Sequence, residues 1–526
     1  MEGKTYLSFN WIGGGQKSFP SNQVVIPWIL IPDLQKFAAV VAATSLTLST
    51  AQHCSKSKPC DTDACCSKWG NCGYGPDFCE NGCQNNCDAK PECGKWAIEA
   101  DCPLRVCCSK WGYCGTTEEF CKKECQGNCE DPPKPSCSNS RSKSQVNIGY
   151  YASWAATRKC NQYPVDAIDP TIYTHLNYAF VDVRKGVIGP ISPEEDQSLR
   201  DFAALKDINP DLKVLASVGG WAFNDPGETQ HEFRDLSATT QSRKKFINSV
   251  KEFLEKYDFD GIDIDWEYPV ADDRGGAPED VENYLNLVKE MRAVFRSQYL
   301  ITIAAPASYW YLRHFWIADM ADHLDWVNVM TYDIHGVWDA DIESLGPFVR
   351  PHTDMTEIEP AIGLYTKDGV PFDKLVLGLG YYGRAFTLKD PNCYDVGCEF
   401  SGPGKAGRCT DAPGTLGWFE IDELRHGADA REMTNSTGQT KILVFDNDQW
   451  VGYDDEETLN YKRNWARENC LKGTMIWSID QGLDSFKRKG STNKYTGSAN
   501  KLPNEAYPPK PIKHNQYGKP GLGHGI

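Results

Sequence analysis

The sequence predicts an α/β protein whose main domain is a closed (β/α)8 barrel. A long insertion is expected between strands 7 and 8, and two small disulfide-rich modules precede the barrel. Eight short apolar runs alternate with stretches of helical spacing over residues 147–485. Charged or aromatic motifs directly follow several of these runs, at the strand ends where barrel enzymes carry their chemistry. Ahead of the barrel, a pattern of eight closely spaced cysteines occurs twice.

The cysteine-rich segments 54–87 (module 1) and 93–129 (module 2) form an internal repeat. From the second cysteine onward their spacings are identical, and both contain Cys-Cys-Ser-Lys-Trp-Gly-x-Cys-Gly followed by Phe-Cys. Each segment is too short to bury a sufficient apolar core, so we expect disulfides to hold it. The cysteines expected to pair are Cys54, Cys60, Cys65, Cys66, Cys72, Cys79, Cys83, Cys87, Cys93, Cys102, Cys107, Cys108, Cys114, Cys121, Cys125 and Cys129.

Three predicted segments lie outside the modules and the barrel. Residues 1–51 contain the apolar run Phe37–Leu48 followed by small residues, which resembles a signal peptide with cleavage near Ala51. Residues 130–146 are rich in Pro, Ser and charged residues and are predicted to be a linker. Residues 486–526 form a polar tail to which we assign no fold.

The composition indicates which binding partners and which cellular location suit this protein. The net charge of −17 argues against nucleic acid as the main partner and suits a neutral polymer. The chain has 22 cysteines, and none of its 10 histidines lies among the clustered cysteines, which favours disulfides in an oxidising compartment over a metal site. The apolar run near the N-terminus is short and contains Ser and Thr, so we expect no stable membrane association. The sequence therefore predicts a secreted, extracellular protein.

The predicted barrel strands are separated by segments of helical periodicity, clearest at Ser242–Tyr257 and Pro278–Arg296. A doubly wound open sheet is the competing architecture, but it would not place chemistry systematically at the C-terminal ends of its strands. The predicted strands are Asn147–Tyr151, His175–Phe180, Lys213–Gly219, Gly261–Glu267, Leu300–Ala304, Trp326–Tyr332, Leu375–Gly380 and Gly473–Ser478.

A long insertion, about residues 384–469, is predicted between strands seven and eight. It contains Cys393, Cys398 and Cys409, and their pairing cannot be deduced from spacing. Asn435-Ser436-Thr437 is a glycosylation sequon and is expected to be exposed.

The segment Asp260–Pro269 carries the most informative pattern in the chain. Because successive side chains of a strand point to opposite faces, Asp263, Asp265 and Glu267 are expected to share one face. Like charges held together raise the pKa of at least one member, and a carboxyl group protonated near neutral pH is a general acid. A solvated acidic strand end or a cation site is the alternative, although cation sites usually draw ligands from a looping backbone.

Three other predicted strands end in glycine, aromatic or acidic residues of the kind found in active sites. Gly219-Gly220-Trp221 ends strand three, Met330-Thr331-Tyr332-Asp333 ends strand six, and Trp477 ends strand eight. The carboxyl ends of barrel strands meet on one face, so we expect these side chains to converge with the acidic strand.

Together these segments resemble family 18 of the glycoside hydrolases, the chitinase family. Asp260–Glu267 fills every position of the family's DxxDxDxE signature, and the other motifs follow in the family's order, so the resemblance covers residues 147–485. It implies a secreted enzyme that hydrolyses β-1,4 bonds in chitin and chitooligosaccharides by a retaining, substrate-assisted mechanism. It also implies that the insertion between strands seven and eight is an α+β insertion. It implies neither a metal nor a cofactor.

The resemblance also implies a role for each matching residue. Glu267 is the acid and then the base, Asp265 holds the acetamide N–H of the substrate, and Asp263 shares a proton with Asp265. Tyr332 donates to the acetamide oxygen, and Asp333 supports substrate distortion. The implied substrate-binding residues are Tyr268, Gly219, Gly220, Trp221, Met330, Thr331, Asp333 and Trp477. Further subsite candidates are Tyr151, Phe180, Trp338 and Arg384.

Modules 1 and 2 resemble the hevein-type chitin-binding module. The resemblance implies that aromatic rings stack on N-acetylglucosamine and that a serine bonds its acetamide. In module 1, Asn71 stands where the second aromatic residue would be, and Tyr74 is a candidate replacement. The alternative is that these rings form the modules' own small cores. The implied binding residues are Ser67, Trp69 and Phe78 in module 1 and Ser109, Trp111, Tyr113 and Phe120 in module 2.

Two other functions stay open at the level of sequence. A non-catalytic chitin-binding lectin on the same barrel is disfavoured because Glu267, Asp265, Asp263 and Tyr332 are all present. Chitin-binding modules ahead of a family 18 barrel also resemble the chitinase-like subunit of yeast killer toxins, for which a disulfide-linked second chain is expected. The sequence does not decide between endo and exo action.

Overall fold

The computed structural model describes residues 54–60, 64–122, 124–135, 145–342 and 345–482. The signal-like segment 1–51, linker residues 136–144 and the tail 486–526 lie outside the described residues. None of the helices in the described part combines the length and apolar character needed to cross a bilayer.

The two modules share one architecture, in which a short antiparallel strand pair and one helical turn surround a core of half-cystines. In both, the cysteines pair first with fourth, second with fifth, third with sixth and seventh with eighth. Module 2 also has a 3-10 turn, Pro103–Arg105. The elements are β1 (Cys65–Cys66), β2 (Cys72–Gly73), α1 (Pro76–Cys79), β3 (Cys107–Cys108), β4 (Cys114–Gly115) and α2 (Glu118–Cys121).

Eight parallel strands pair in chain order, and the eighth pairs with the first to close the barrel, which confirms the predicted fold class. Every predicted strand end lies within two residues of the observed one. A small hairpin of β7 (Val183–Arg184) and β8 (Val187–Ile188) follows the second barrel strand. The barrel strands are β5 (Val146–Ala152), β6 (His175–Ala179), β9 (Lys213–Gly219), β10 (Gly261–Asp265), β11 (Leu300–Pro306), β12 (Trp326–Met330), β13 (Leu375–Gly380) and β20 (Gly473–Trp477).

Helices cover the outside of the barrel, and their apolar faces form one core cluster with the strands. The predicted helix Ser242–Tyr257 is observed as α5; Thr239 and Ser242 form its capping box, and Asp258 ends it in a left-handed conformation. The described helices after the modules are α3 (Pro193–Ala203), α4 (Glu232–Ser237), α5 (Thr240–Tyr257), α6 (Asp280–Phe295), α7 (Tyr309–Leu312), α8 (Ile317–Ala321), α9 (Met355–Asp368), α10 (Trp418–Leu424) and α11 (Glu456–Glu468).

The insertion is a six-stranded antiparallel sheet with helix α10, between strands seven and eight of the barrel as expected. It begins directly after β13, and α11 packs on β13 and β20, so α11 belongs to the barrel. The predicted insertion, residues 384–469, therefore runs too far, because a helix that returns to a barrel has the same period as one inside an insertion. The strands are β14 (Tyr382–Leu388), β15 (Phe400–Pro403), β16 (Thr415–Gly417), β17 (Arg431–Asn435), β18 (Thr440–Phe445) and β19 (Gln449–Tyr453).

One disulfide joins the insertion to the barrel, and an apolar contact joins module 2 to the barrel. Cys160–Cys409 joins the loop after β5 to the insertion, and Cys393–Cys398 closes a short loop within the insertion. Module 2 packs on the barrel through the turn Pro103–Arg105, whose Leu104 belongs to the same buried cluster as the barrel core. Module 1 has a separate small cluster.

Candidate active site

Strand β10 presents its acids to the barrel interior with the alternation the sequence predicts. Asp263, Asp265 and the following Glu267 are all buried, with exposed fractions of 0%, 5% and 8%. The rise in exposure along the strand leads toward the C-terminal face. The three carboxyl groups therefore form a line from the barrel interior to its open end.

Asp263 is the innermost acid, and four side chains from four other strands donate hydrogen bonds to it. Oδ2 accepts from Tyr150 and Ser217 at 2.8 Å each, and Oδ1 accepts from Thr302 at 2.6 Å and Asn328 at 3.0 Å. A carboxylate is an acceptor with room for this number of donors. This cradle fixes Asp263 in place directly behind Asp265.

Asp265 has few compensating contacts by comparison. Burial raises its pKa well above the usual range, and the neighbouring Glu267 and Asp263 raise it further. Its Oδ1 is buried and has no hydrogen-bond partner among the described residues. Asp265 therefore resists ionisation and has an unused acceptor next to Glu267.

Glu267 lies nearest the open face of the barrel. Burial raises its pKa to about 7, while Tyr268 and Arg274 oppose this shift and the charge of Asp333 supports it. Its main-chain N–H donates to Asn224 Oδ1 at 3.2 Å, and its carbonyl accepts from Arg274 Nε at 3.1 Å. The backbone is thus held from both sides, and the carboxyl group can hold or release a proton near neutral pH.

Gly219 and Gly220 allow strand β9 to approach β10 closely at this point. Both have positive φ, 108° and 86°. A Cβ on Gly219 would lie 2.1 Å from the carbonyl oxygen of Asp265, which accepts a hydrogen bond of 2.9 Å from Gly220 N–H. The next residue, Trp221, is 46% exposed, and the guanidinium of Arg274 lies 3.9 Å from its ring centroid.

Tyr332 lies two residues after the end of β12, on the inward face with Met330. Its side chain is buried, its hydroxyl donates to Met475 Sδ at 3.8 Å, and its ring contacts Tyr382 edge-on at a centroid distance of 6.1 Å. The hydroxyl pKa is raised well above its usual value by burial and by Asp265, so Tyr332 is a hydrogen-bond donor.

Asp333 is half-buried and firmly held. Its Oδ1 accepts from Tyr382 at 2.5 Å and from Arg384 Nε at 2.7 Å, and its main-chain N–H donates to His352 Nδ1 at 3.2 Å. Burial opposes ionisation, yet Arg384 and His352 hold the pKa of Asp333 well below its usual range. Asp333 is therefore a fixed negative charge beside the cleft.

Trp477 ends β20 within a group of aromatic rings. It stacks on Phe180 at a centroid distance of 5.7 Å and contacts Tyr150 edge-on, also at 5.7 Å. Trp154, which is 55% exposed, lies 6.2 Å from both Trp477 and Phe180. On the other side of the site, Tyr268 stacks on Tyr311 at 4.2 Å.

Two sequence-predicted contacts do not reach the cleft. The Thr331 hydroxyl is fully buried and donates to the carbonyl of Gly378 at 2.7 Å, because alternation turns Thr331 outward between Met330 and Tyr332. Tyr151 is also fully buried and stacks on Phe202 at 5.8 Å. Thr331 and Tyr151 pack the barrel wall instead.

Sequence reasoning missed several groups that shape the site. The donors to Asp263 and the partners of Asp333 lie far from them along the chain, so the sequence does not indicate that these residues meet. A polar residue at an inward strand position is the one available signal, since it must find a partner once it is buried. The missed groups are Tyr150, Ser217, Asn224, Arg274, Thr302, Asn328, His352 and Tyr382.

The modules present exposed tryptophans and buried serines. Trp69 and Trp111 are 72% and 61% exposed. Ser67 and Ser109 are buried, and each hydroxyl oxygen accepts a main-chain N–H at 3.1 Å. Phe78 and Phe120 pack over Gly73 and Gly115, where a Cβ would meet the ring at 2.6 Å, so these two rings belong partly to the modules' cores.

In each module, three cysteine sulfurs lie close enough together to resemble a site for a metal ion. Within the described residues, the groups close enough to hold one ion are two cysteine trios, one in each module. All of these sulfurs are in disulfides and are not available as ligands. They are Cys54, Cys60 and Cys72, and Cys93, Cys102 and Cys114.

Comparison with known families agrees with the fold and the motifs. The profile described as "Glycosyl hydrolases family 18" matches residues 146–482, and the profile described as "Chitin recognition protein" matches residues 50–87 and 92–129. The chain belongs to family 18 of the glycosyl hydrolases.

Among related proteins, "Secreted chitinase LysM12" of Penicillium expansum is 31% identical over 460 residues, which is 81% of this chain and 27% of that protein. "Endochitinase" of Manduca sexta is 32% identical over 368 residues, 66% of this chain and 65% of that protein. The chain thus spans between 27% and 65% of the length of these two curated relatives.

Solved structures resemble the barrel part of the chain. A group IV chitinase of Ostrinia furnacalis in complex with allosamidin is 31% identical, with a TM-score of 0.59 over 64% of this chain and 93% of that one. Human YKL-39, described as a pseudo-chitinase with retained chitooligosaccharide binding properties, is 28% identical, with a TM-score of 0.58 over 64% and 93%. Resemblance to this fold is therefore compatible with both catalysis and binding alone.

Proposed function

We propose that this protein is a chitinase that hydrolyses β-1,4 bonds between N-acetylglucosamine units with retention of configuration. The observation that carries the proposal is the pairing of Glu267, whose pKa is raised to about 7, with Asp265, whose buried Oδ1 has no partner among the described residues. A general acid and an unused acceptor side by side suit a glycosidic oxygen and the acetamide next to it.

The proposed first step uses Glu267 as general acid. Glu267 donates its proton to the glycosidic oxygen as the bond from C1 to that oxygen breaks. The acetamide carbonyl oxygen of the same sugar forms a bond to C1, which gives an oxazolinium intermediate. Substrate assistance of this kind is an established exception to the two-carboxylate scheme. It fits a site in which Asp263 is fully occupied by four donors and Asp333 by Arg384.

The proposed second step reverses these bond changes with water. The Glu267 carboxylate takes a proton from a water molecule as the water oxygen attacks C1. The bond between C1 and the acetamide oxygen breaks, which restores the N-acetyl group and leaves the new hydroxyl on the original face. Glu267 returns to its protonated form.

Asp265 and Tyr332 are proposed to aim the acetamide. Asp265 Oδ1 accepts the acetamide N–H and stabilises the positive charge as it develops. The Tyr332 hydroxyl donates to the acetamide oxygen, which its raised pKa permits. Asp263 holds Asp265 in position, and the fixed charge of Asp333 supports distortion of the sugar.

The remaining cleft residues are proposed as walls of the sugar-binding subsites. Trp477 forms the apolar floor, supported by the stacked ring of Phe180. Flat aromatic surfaces suit the apolar faces of pyranose rings. The proposed lining also includes Tyr268, Gly219, Gly220, Trp221 and Met330.

Modules 1 and 2 are proposed to hold the enzyme on chitin outside the cell. Their family match, the exposed Trp69 and Trp111 and the eight described module disulfides support this. Relatives named secreted chitinases support an extracellular location. A disulfide-linked second chain is not part of the proposal, since no described cysteine is free.

Product analysis on defined chitooligosaccharides tests the proposal. The wild type should release shorter products that retain the β-anomer, while Glu267→Gln should lose turnover and still bind the substrate. The same assay separates the enzyme from a lectin such as the related pseudo-chitinase, because a lectin would release no reducing ends in either form. Near-normal turnover by Glu267→Gln would overturn the assignment of the acid.

A further inference from the structure

The two modules differ in one segment. Gly94–Asp101, between the first two cysteines of module 2, is longer than the corresponding Ser55–Pro59 of module 1. It carries a third Lys-Trp dipeptide, Lys95-Trp96, in addition to the one that each module has in its shared core. Trp96 is 43% exposed.

A pocket of about 240 Å3 lies between the modules, and both contribute to its lining. Module 1 supplies Tyr74 and Phe78, and module 2 supplies Trp96, Trp111 and Tyr113. Aromatic rings from two modules therefore converge on one concave surface.

Direct contacts fix this arrangement across the module boundary. The rings of Tyr74 and Tyr113 meet edge to face, with centroids 5.5 Å apart and planes at 61°. Gly75, at φ 88°, lets Trp96 approach: a Cβ there would lie 2.8 Å from the indole Nε1. Module 1 thus accommodates the long segment of module 2.

Gln126 anchors the long segment inside module 2. Its Nε2 donates to the Ser109 carbonyl at 2.9 Å, and its Oε1 accepts from Lys95 N–H at 3.1 Å. In module 1 the matching Gln84 donates to the Ser67 carbonyl at 2.9 Å, and Lys56 stands at the position of Lys95, but Ser57 takes the place of Trp96. Trp96, which follows the anchored Lys95 and lines the pocket with Trp111, is therefore specific to module 2.

Resting on the proposed function, we propose that this pocket is one composite site for an N-acetylglucosamine unit of a chitin chain, built by both modules. The alternative is two independent sites. The volume is below the roughly 300–1,000 Å3 of pockets that enclose a whole ligand, so it suits one unit of a chain that continues over the exposed Trp111. In this arrangement Tyr74, from the module that has Asn71 in place of an aromatic residue, completes the site of module 2.

Binding of the full chain to insoluble chitin tests the composite site. Glu267→Gln serves as the parent so that the polymer is not degraded, and the cleft contributes equally in every variant. Trp96→Ala and Tyr74→Ala should each weaken retention by roughly 5- to 20-fold, while Tyr74→Phe, which keeps the ring, should stay within about twofold. The masses of the non-reduced chains confirm that the disulfides have formed.

A double-mutant cycle separates one site from two. For Tyr74→Ala with Tyr113→Ala, the combined loss should be clearly smaller than the product of the two single losses, because both remove parts of one site. As the matched control, the losses for Trp69→Ala with Trp96→Ala should multiply, since Trp69 lies outside the pocket.

Two results would overturn the composite site. If Trp111→Ala weakens retention while Tyr74→Ala and Trp96→Ala bind like the parent, module 2 binds chitin alone. If all these variants bind like the parent, the modules do not hold the protein on chitin, and the composite site fails with that proposal. Hydrolysis of soluble chitooligosaccharides by the wild type reports separately on the proposed enzymatic function.

Discussion

Arg274 donates a hydrogen bond of 3.1 Å from Nε to the main-chain carbonyl of Glu267. The same guanidinium forms an ion pair of 2.7 Å with Asp225. The positive charge of Arg274 lowers the pKa of Glu267, and the negative charge of Asp225 raises it, so the two act in opposite directions on the proposed acid. Burial raises the pKa of Glu267 most, and this pair adjusts it further while Arg274 holds the backbone.

The first prediction concerns the pH dependence of kcat/KM. Glu267 must be protonated to act as an acid, so activity of the wild type should fall as pH rises past about 7. Arg274→Gln should raise the pH at which activity falls by about one unit, and Asp225→Asn should lower that pH. Profiles on a chromogenic chitooligosaccharide measure the shifts. A shift of both variants in the same direction would show that charge is not the cause.

Asp265→Asn should reduce kcat by roughly 10²- to 10³-fold with little change in KM. The amide keeps the size of the side chain but removes the carboxyl group proposed to stabilise the developing charge. Asp260→Asn is the matched control: Asp260 accepts from Lys213 at 2.8 Å and from Val214 N–H at 3.0 Å at the start of the strand. It should lose stability and keep turnover. Turnover of Asp265→Asn within a few-fold of wild type would remove Asp265 from the mechanism.

Strands and helices whose side chains follow a regular period could be predicted from the sequence. Strand β10 and its inward acids follow from alternation alone, and helix α5 follows from its apolar spacing. On β5, Tyr151 was predicted as a subsite candidate and Tyr150 was not, because the period does not reveal which of two adjacent aromatic residues points inward. Only the closed barrel shows that Tyr150 meets Asp263.

Contacts between distant segments were beyond the sequence for a different reason. Arg384 and Asp333 belong to the insertion and to β12's loop, and nothing in either segment indicates the partner. Tyr74 was considered as a replacement for the aromatic residue missing at Asn71, yet it contacts Tyr113 of the other module. Such pairs depend on how folded units meet, which a pattern within one unit cannot encode.

The third prediction compares two glycines that have similar positive φ angles. Gly219 has φ 108°, and a Cβ would lie 2.1 Å from the Asp265 carbonyl oxygen. Gly369 has φ 114°, with nothing within 4 Å of an added Cβ. Gly369→Ala should therefore lower the free energy of unfolding by about 1–2 kcal/mol, through backbone strain alone. Gly219→Ala should lower it by roughly 3 kcal/mol or more, because the clash adds to the strain. Thermal unfolding of the two variants compares these costs. Equal losses would show that the clash beside Asp265 relaxes easily.

The last prediction concerns His335, which joins the loop after Asp333 to helix α9. Its Nδ1 lies 2.7 Å from Asp339 and its Nε2 lies 2.8 Å from Glu357. Burial opposes the charge, but hydrogen bonds to the two carboxylates raise the His335 pKa to about 9 from an ordinary value of 6.5.

Because the pKa of His335 is higher in the folded state, protonated His335 stabilises the folded protein. This stabilisation is complete below about pH 6.5 and is lost as pH rises through about 9. The loss should be on the order of 2–4 kcal/mol. His335→Gln should therefore be less stable than wild type at the acidic end of this range, with the difference shrinking toward the alkaline end. Unfolding midpoints of both proteins across the range measure it. A difference that stays constant with pH would mean that His335 contributes through packing and not through its charge.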